Sequence, residues 1–150
     1  MPGVRLSVKA IIVREGRLLV LKCRDHEGVW YVLPGGGQQA GETLDQALRR
    51  ECVEELGCEV RMGSLRFVRD YIAKNHEFAA TDSHTLQVEL MFECDLESEP
   101  SLAIQPDSMQ EGFAWLEVTG LRGCRLYPRI LEQALCSAEK NGVLYLGDVN

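Results

Sequence analysis

"LPGGGQQAGETLDQALRRECVEELGCEV", residues Leu33 to Val60, places three consecutive glycines ahead of a segment in which Arg49, Arg50, Glu51, Glu54 and Glu55 crowd together. Thr43 and Gln46 have the spacing of a capping box, and Gly57 suits the left-handed position just past a helix end. The spacing predicts a helix of about fourteen residues from Thr43 to Leu56. With Leu44 set at zero, Glu54, Glu51 and Glu55 fall at about 280°, 340° and 20° around its axis. That is the side occupied one or two turns earlier by Leu44, Ala47 and Leu48, so one face changes from core-like to triply anionic. Like charges at these spacings repel, and desolvation beside an apolar face adds to the cost. A divalent cation resolves the conflict. Magnesium fits, with manganese an alternative, because hard oxygen ligands are offered and the His and Cys ligands favoured by zinc are not. Gly35, Gly36 and Gly37 read as a loop whose bare backbone can approach a metal or phosphate closely.

Outward from this stretch, apolar patterning predicts strands at 4–13, 17–22 and 30–33 before the helix, and at 58–73, 84–95 and 112–118 after it. A second helix is expected over 127–140, with Pro128 in its first turn and Gly142 beyond its end. Residues 74–83 and 96–110 read as polar loops. Mostly strands with one early and one late helix imply an α/β fold, a mixed sheet covered by helices. A chain of 150 residues fits one domain spanning 1–150.

Charge and cysteine usage narrow the class further. Residues 1–74 carry 12 basic and 10 acidic side chains and residues 75–150 carry 4 and 13, so an anionic ligand should be held by the first half. A basic track for duplex nucleic acid is missing, and nucleic acid is not an expected partner. Cys23, Cys52, Cys58, Cys94, Cys124 and Cys136 form no CxxC pair and mostly sit in apolar patterns, which reads as buried reduced thiols. Arg5 and Lys9 interrupt the N-terminal apolar run, leaving no membrane span and no secretory signal; a cytoplasmic protein is expected.

Gly36, Glu42, Arg50, Glu51, Glu54, Glu55 and Gly57 fill the fixed places of a known signature, and the sequence resembles the Nudix (MutT-like) hydrolase family over a box at residues 36–58. A chance match in a chain this long is on the order of one in a million. Cys52 and Cys58 stand where the family usually has Ile, Leu or Val, a mild departure, since a buried cysteine behaves as a small apolar residue.

The resemblance implies an α/β/α sandwich around a mixed sheet, and magnesium-assisted hydrolysis of a nucleoside diphosphate linked to a group X, with water as nucleophile. ADP-ribose, a nucleoside triphosphate or a nucleotide sugar would each qualify. By the same resemblance, Glu51 and Glu55 ligate the metal, Glu54 is a further ligand or the proton acceptor, and the Gly36 carbonyl completes the shell. Glu42 and Arg50 form structural ion pairs that fix loop against helix. Glu111 stands where some members place an additional catalytic glutamate. Arg24, with Gly35, Gly36 and Gly37, is the expected substrate-binding set, and Arg5, Lys22, Trp30, Tyr31, Phe78, Tyr127 and His84 are further candidates for specificity. A homodimer is open, since many relatives form one. Two other readings share the motif: hydrolysis at RNA 5′ ends, and a nucleotide sensor that does not hydrolyse. An isomerase on the same fold would need a His or Cys metal cluster.

Overall fold

The computed structural model describes residues 3–77, 84–101, 109–137 and 142–150. β1 (Arg5–Ile11), β2 (Val13–Arg14), β3 (Arg17–Asp25), β4 (Gly28–Val32) and β5 (Gly35–Gly37) precede helix α1 (Leu44–Leu56). β6 (Val60–Ile72), β7 (Leu86–Leu96), β8 (Gln110–Glu117), β9 (Leu126–Tyr127), helix α2 (Leu131–Cys136) and β10 (Leu144–Asp148) follow. Two mixed sheets result. One runs β10-β6-β7-β1-β5, and the other runs β2-β3-β4-β9 with β8 paired to β3. The β1–β7, β6–β10 and β4–β9 pairs are parallel and the rest antiparallel.

Strand alternation explains why the core lies on both faces. On β1 and β3, Val8, Ala10, Leu19 and Leu21 pack with Ala47, Leu48, Cys52 and Leu56 of α1. Their neighbours Ile11, Leu18 and Val20 face the other way, toward Leu131 and Ala134 of α2. Side chains two apart share a face, so a strand covered by a helix on each side reads as a continuous apolar run. This is the expected mixed α/β arrangement. Cys52 and Cys58 are fully packed in the α1 core, and Cys23 and Cys94 are buried too, whereas Cys136 is exposed.

Two expectations change. Gly35–Gly37 is not a loop: it pairs antiparallel with β1, Ser7 opposite Gly37 and Lys9 opposite Gly35. The second helix starts at Leu131 and not at 127, because Tyr127 is extended and lies parallel to Val32. A residue preceding proline is driven out of the helical region by the proline ring, which keeps Tyr127 in a strand. Ser137, extended again, follows the helix, and 138–141 lie outside the described residues. β10 is an element that apolar patterning did not single out.

Candidate active site

α1 is capped as its sequence demands. The Thr43 side chain accepts from the Gln46 backbone N–H, the Gln46 side chain accepts from the Thr43 N–H, and Gly57 closes the helix at φ 59°. The last turn carries Glu54 and Glu55 and no basic residue, although carboxylates there oppose the helix dipole. The helix thus tolerates charge where stability alone would not place it.

Glu51, Glu54 and Glu55 all line one cleft of ≈ 570 Å³ together with Gly35, Gly36, Arg50, Gln39 and Gln110. Arg5, Ser7, Lys9 and Gln87 enter it from one sheet, and Leu21, Cys23, Trp30 and Val32 from the other. The cleft therefore opens between the sheets at the end of α1.

Each glutamate has a distinct environment. Glu55 is buried at 6% exposure, its Oε1 accepting from the Gly35 N–H at 2.8 Å and its Oε2 from Gln110 Nε2 at 3.1 Å. Burial pushes its carboxyl up to about 7, opposed by the nearby Lys9 ammonium and by the two hydrogen bonds, with Glu51 adding to the rise. Arg50 organises the others. Its Nε and one terminal nitrogen grip Glu42 at 2.5 and 3.1 Å, that same nitrogen donates to the Gly37 carbonyl at 3.0 Å, and the other terminal nitrogen reaches Glu51 at 3.0 Å and Glu54 at 3.4 Å. Glu42 also accepts from the Gln39 N–H at 2.9 Å, and Arg50 draws its carboxyl below the usual range. One guanidinium fork thus ties the turn before α1, strand β5 and the acidic face into a unit.

The glycines matter for separate reasons. Gly35 has φ 136°, and a side chain there would collide with the Val8 carbonyl. At Gly36 a Cβ would lie 2.5 Å from Glu51 Oε1, so the carboxylate rests against bare backbone.

Of the expected site residues, Gly35, Gly36, Arg50, Glu51, Glu54 and Glu55 are brought together, with Glu42 and Gly37 held through Arg50. Arg24 and Glu111 are not among the cleft residues; they pair with each other at 2.6 Å. The cause is a bulge: Lys22 lies opposite Gly112 and Cys23 opposite Gln110, so Glu111 is the extra residue and Gln110 takes the inward position beside Cys23. Gln110 and Lys9 are cleft residues that sequence reasoning did not single out; the period-two row Arg5, Ser7, Lys9 carried a signal for the second. Trp30 and Arg5 line the cleft as candidates, while Tyr127 is buried edge-on against Trp30 and His84 is exposed outside it. Phe78 lies outside the described residues.

Among the described residues no three His, Cys, Asp or Glu side chains converge on one point. Glu51 is turned to Arg50 and Glu55 to Gly35 and Gln110. The donor set nonetheless suits a hard divalent cation: three carboxylates and a glycine backbone share the cleft, no imidazole lines it, and Gly36 is a cradle that any Cβ would fill. No helix among the described residues is long and apolar enough to cross a membrane.

A family model described as "NUDIX domain" matches residues 3–133. The nucleoside triphosphatase NudI of Enterobacter sp. (strain 638) is 34% identical over 95 residues, covering 60% of this chain and 67% of its own length. Its counterpart from Salmonella agona (strain SL483) is 30% identical over 118 residues, 75% of this chain and 82% of its own. Among solved structures, a MutT NUDIX hydrolase from Burkholderia pseudomallei superposes with a TM-score of 0.61 at 30% identity, covering 77% of this chain and 84% of that one. A NUDIX hydrolase from Nitrosomonas europaea, at 18% identity, shares the fold with a TM-score of 0.72 over 89% and 86% of the two chains.

Proposed function

Since the chain belongs to the Nudix family and is a pyrophosphohydrolase of that family, we propose that it hydrolyses a phosphoanhydride of a nucleoside triphosphate, the case in which X is phosphate. The observation that carries this reading is the gathering of Glu51, Glu54 and Glu55 with Gly36 in one cleft. The choice of a triphosphate is supported by the similarity to two nucleoside triphosphatases.

In this reading Glu51, Glu55 and the Gly36 carbonyl hold magnesium, with Glu54 as a further ligand or as the proton acceptor. When bound, the cation neutralises phosphate charge and acidifies water. The remaining work belongs to the chain. Glu54, the most exposed of the three carboxylates and, among the described residues, bonded only through Oε2 to Arg50, is suited to take the proton from water. Arg50 holds Glu51 and Glu54 in place, and Gly35 and Gln110 orient Glu55. Arg24 and Glu111 form a joined pair that does not line the cleft, and Glu111 acts only if it leaves Arg24. Trp30, which lines the cleft, is the aromatic residue there that could pack against the base. A cytoplasmic setting belongs to the same reading.

The test is phosphate or pyrophosphate release from nucleoside triphosphates, ADP-ribose, dinucleoside polyphosphates and nucleotide sugars, with magnesium or chelator. Release that is fastest from a triphosphate, needs metal and is lost in Glu55→Gln sustains the proposal. Equal release with chelator, or by Glu55→Gln, sinks it.

A further inference from the structure

Most charged clusters outside the glutamates are internally satisfied. Asp148 receives the Ile72 N–H, Asn75 Nδ2 and His76, and the buried Arg69 is matched by Glu89 and the chain end. Within the cleft, Lys9 is committed to the Leu33 and Gly35 carbonyls at 3.5 and 3.3 Å, and Arg50 to the contacts already described. Arg5 differs. It is exposed, it lines the cleft, and among the described residues its guanidinium has no hydrogen bond or ion pair, although three carboxylates share the cleft.

Its position is set by backbone. A Cβ on Gly37 would lie 2.5 Å from Arg5 Nε and 2.6 Å from a terminal nitrogen, so the guanidinium lies against the bare face of Gly37. Gly37 has no positive φ to accommodate, and of the three consecutive glycines the signature requires only Gly36. The absence of a side chain at the third glycine therefore serves Arg5.

We propose that Arg5 is a substrate-binding residue that grips a phosphate group of the nucleotide, and that Gly37 is the platform holding it over the cleft. The inference rests on the hydrolase reading and deepens it. A guanidinium presents five donors in a planar fork that matches two phosphate oxygens, and here all five are uncommitted. A polyphosphate entering beside Glu51 and Glu54 meets like charge, and Arg5 is the cleft cation that can oppose it without surrendering an existing bond.

The test compares wild type, Arg5→Gln, Arg5→Lys and Gly37→Ala. Calorimetric titration with inorganic pyrophosphate in magnesium buffer is the first measurement; KM and kcat on the best nucleotide substrate are the second. Loss of a charge-assisted, forked contact predicts affinity weaker by about ten- to hundredfold in Arg5→Gln, with KM rising in parallel and kcat falling less than about threefold. Arg5→Lys recovers part of the affinity, and Gly37→Ala reproduces the KM defect with an unchanged melting temperature. Wild-type affinity in Arg5→Gln, or no pyrophosphate binding by wild type, overturns the proposal. Should wild type hydrolyse no nucleotide, the hydrolase reading fails by itself and the pyrophosphate titration still decides Arg5.

Discussion

Glu55 is the residue at which burial and the proposed function conflict most directly. Its proton is held more tightly in the folded chain than in the unfolded one, so between about 4.5 and about 7 stability falls as pH rises, and the cost of the ionised carboxylate is complete above that. Glu55→Gln imitates the protonated form. In chelator it is expected to raise the melting temperature at pH 8, by a margin on the order of 3 kcal/mol in stability, and to change little at pH 5. Thermal unfolding at the two pH values checks this, and an equal shift at both refutes it. A cation at the same carboxylate competes with the proton. Apparent magnesium affinity should therefore rise about tenfold per pH unit from 5 to about 7 and level off above, as titration across pH would show. Gly36 offers a second residue-scale test. Gly36→Ala pushes the Glu51 carboxylate off its seat without straining φ, and kcat is expected to fall about a hundredfold while circular dichroism is unchanged. Turnover within a factor of three of wild type would show that Glu51 does not need that seat.

At the scale of elements, α1 is where local signals agree. Its start, its end and its acidic face follow from near-neighbour chemistry, and the structure reproduces the cap at Thr43, the left-handed Gly57 and the buried Ala47, Leu48, Cys52 and Leu56. Thr43→Ala should cost about 1 kcal/mol in urea unfolding, the usual value of a lost N-cap bond. Loss below a few tenths would mean that tertiary packing alone holds that end. The join between α1 and β5 depends on Arg50. Because Arg50 draws the Glu42 carboxyl down, this pair supports the fold above the ordinary glutamate range and fades as pH falls through the lowered value. β8 was less legible. Alternation places a strand at 112–118 and the family resemblance points to Glu111 just before it, but the bulge opposite Lys22 and Cys23 leaves Glu111 as the extra residue and delivers Gln110. Nothing in a period-two pattern announces an inserted residue.

Across the whole molecule, the chain end is stitched to the sheet beside the cleft. Arg69 bonds Glu89 at 3.2 and 3.3 Å with both side chains almost fully buried, and one of its terminal nitrogens donates to the Val149 carbonyl at 2.6 Å. Gln87, a cleft residue, donates to the same Glu89 at 2.9 Å. Removing one partner strands a buried charge, so Glu89→Leu is expected to cost about 3–5 kcal/mol, whereas Arg69→Met with Glu89→Leu should cost less than either single change. Urea unfolding of the three variants measures the difference, and simple additivity would deny the coupling. The sequence by itself determined the helix, its caps, its anionic face and the signature from Gly36 to Gly57, because each depends on residues within a turn or two of one another. It also carried the double-faced apolar strands, whose period is local. Only the tertiary structure decided that Glu55 is the buried carboxylate, that Gln110 reaches it from 55 residues away, that Arg5 lies on Gly37, and that β10 closes the sheet against β6. Those outcomes depend on strand register and on a bulge, which arise from pairing between distant segments and leave no mark on the spacing of neighbours.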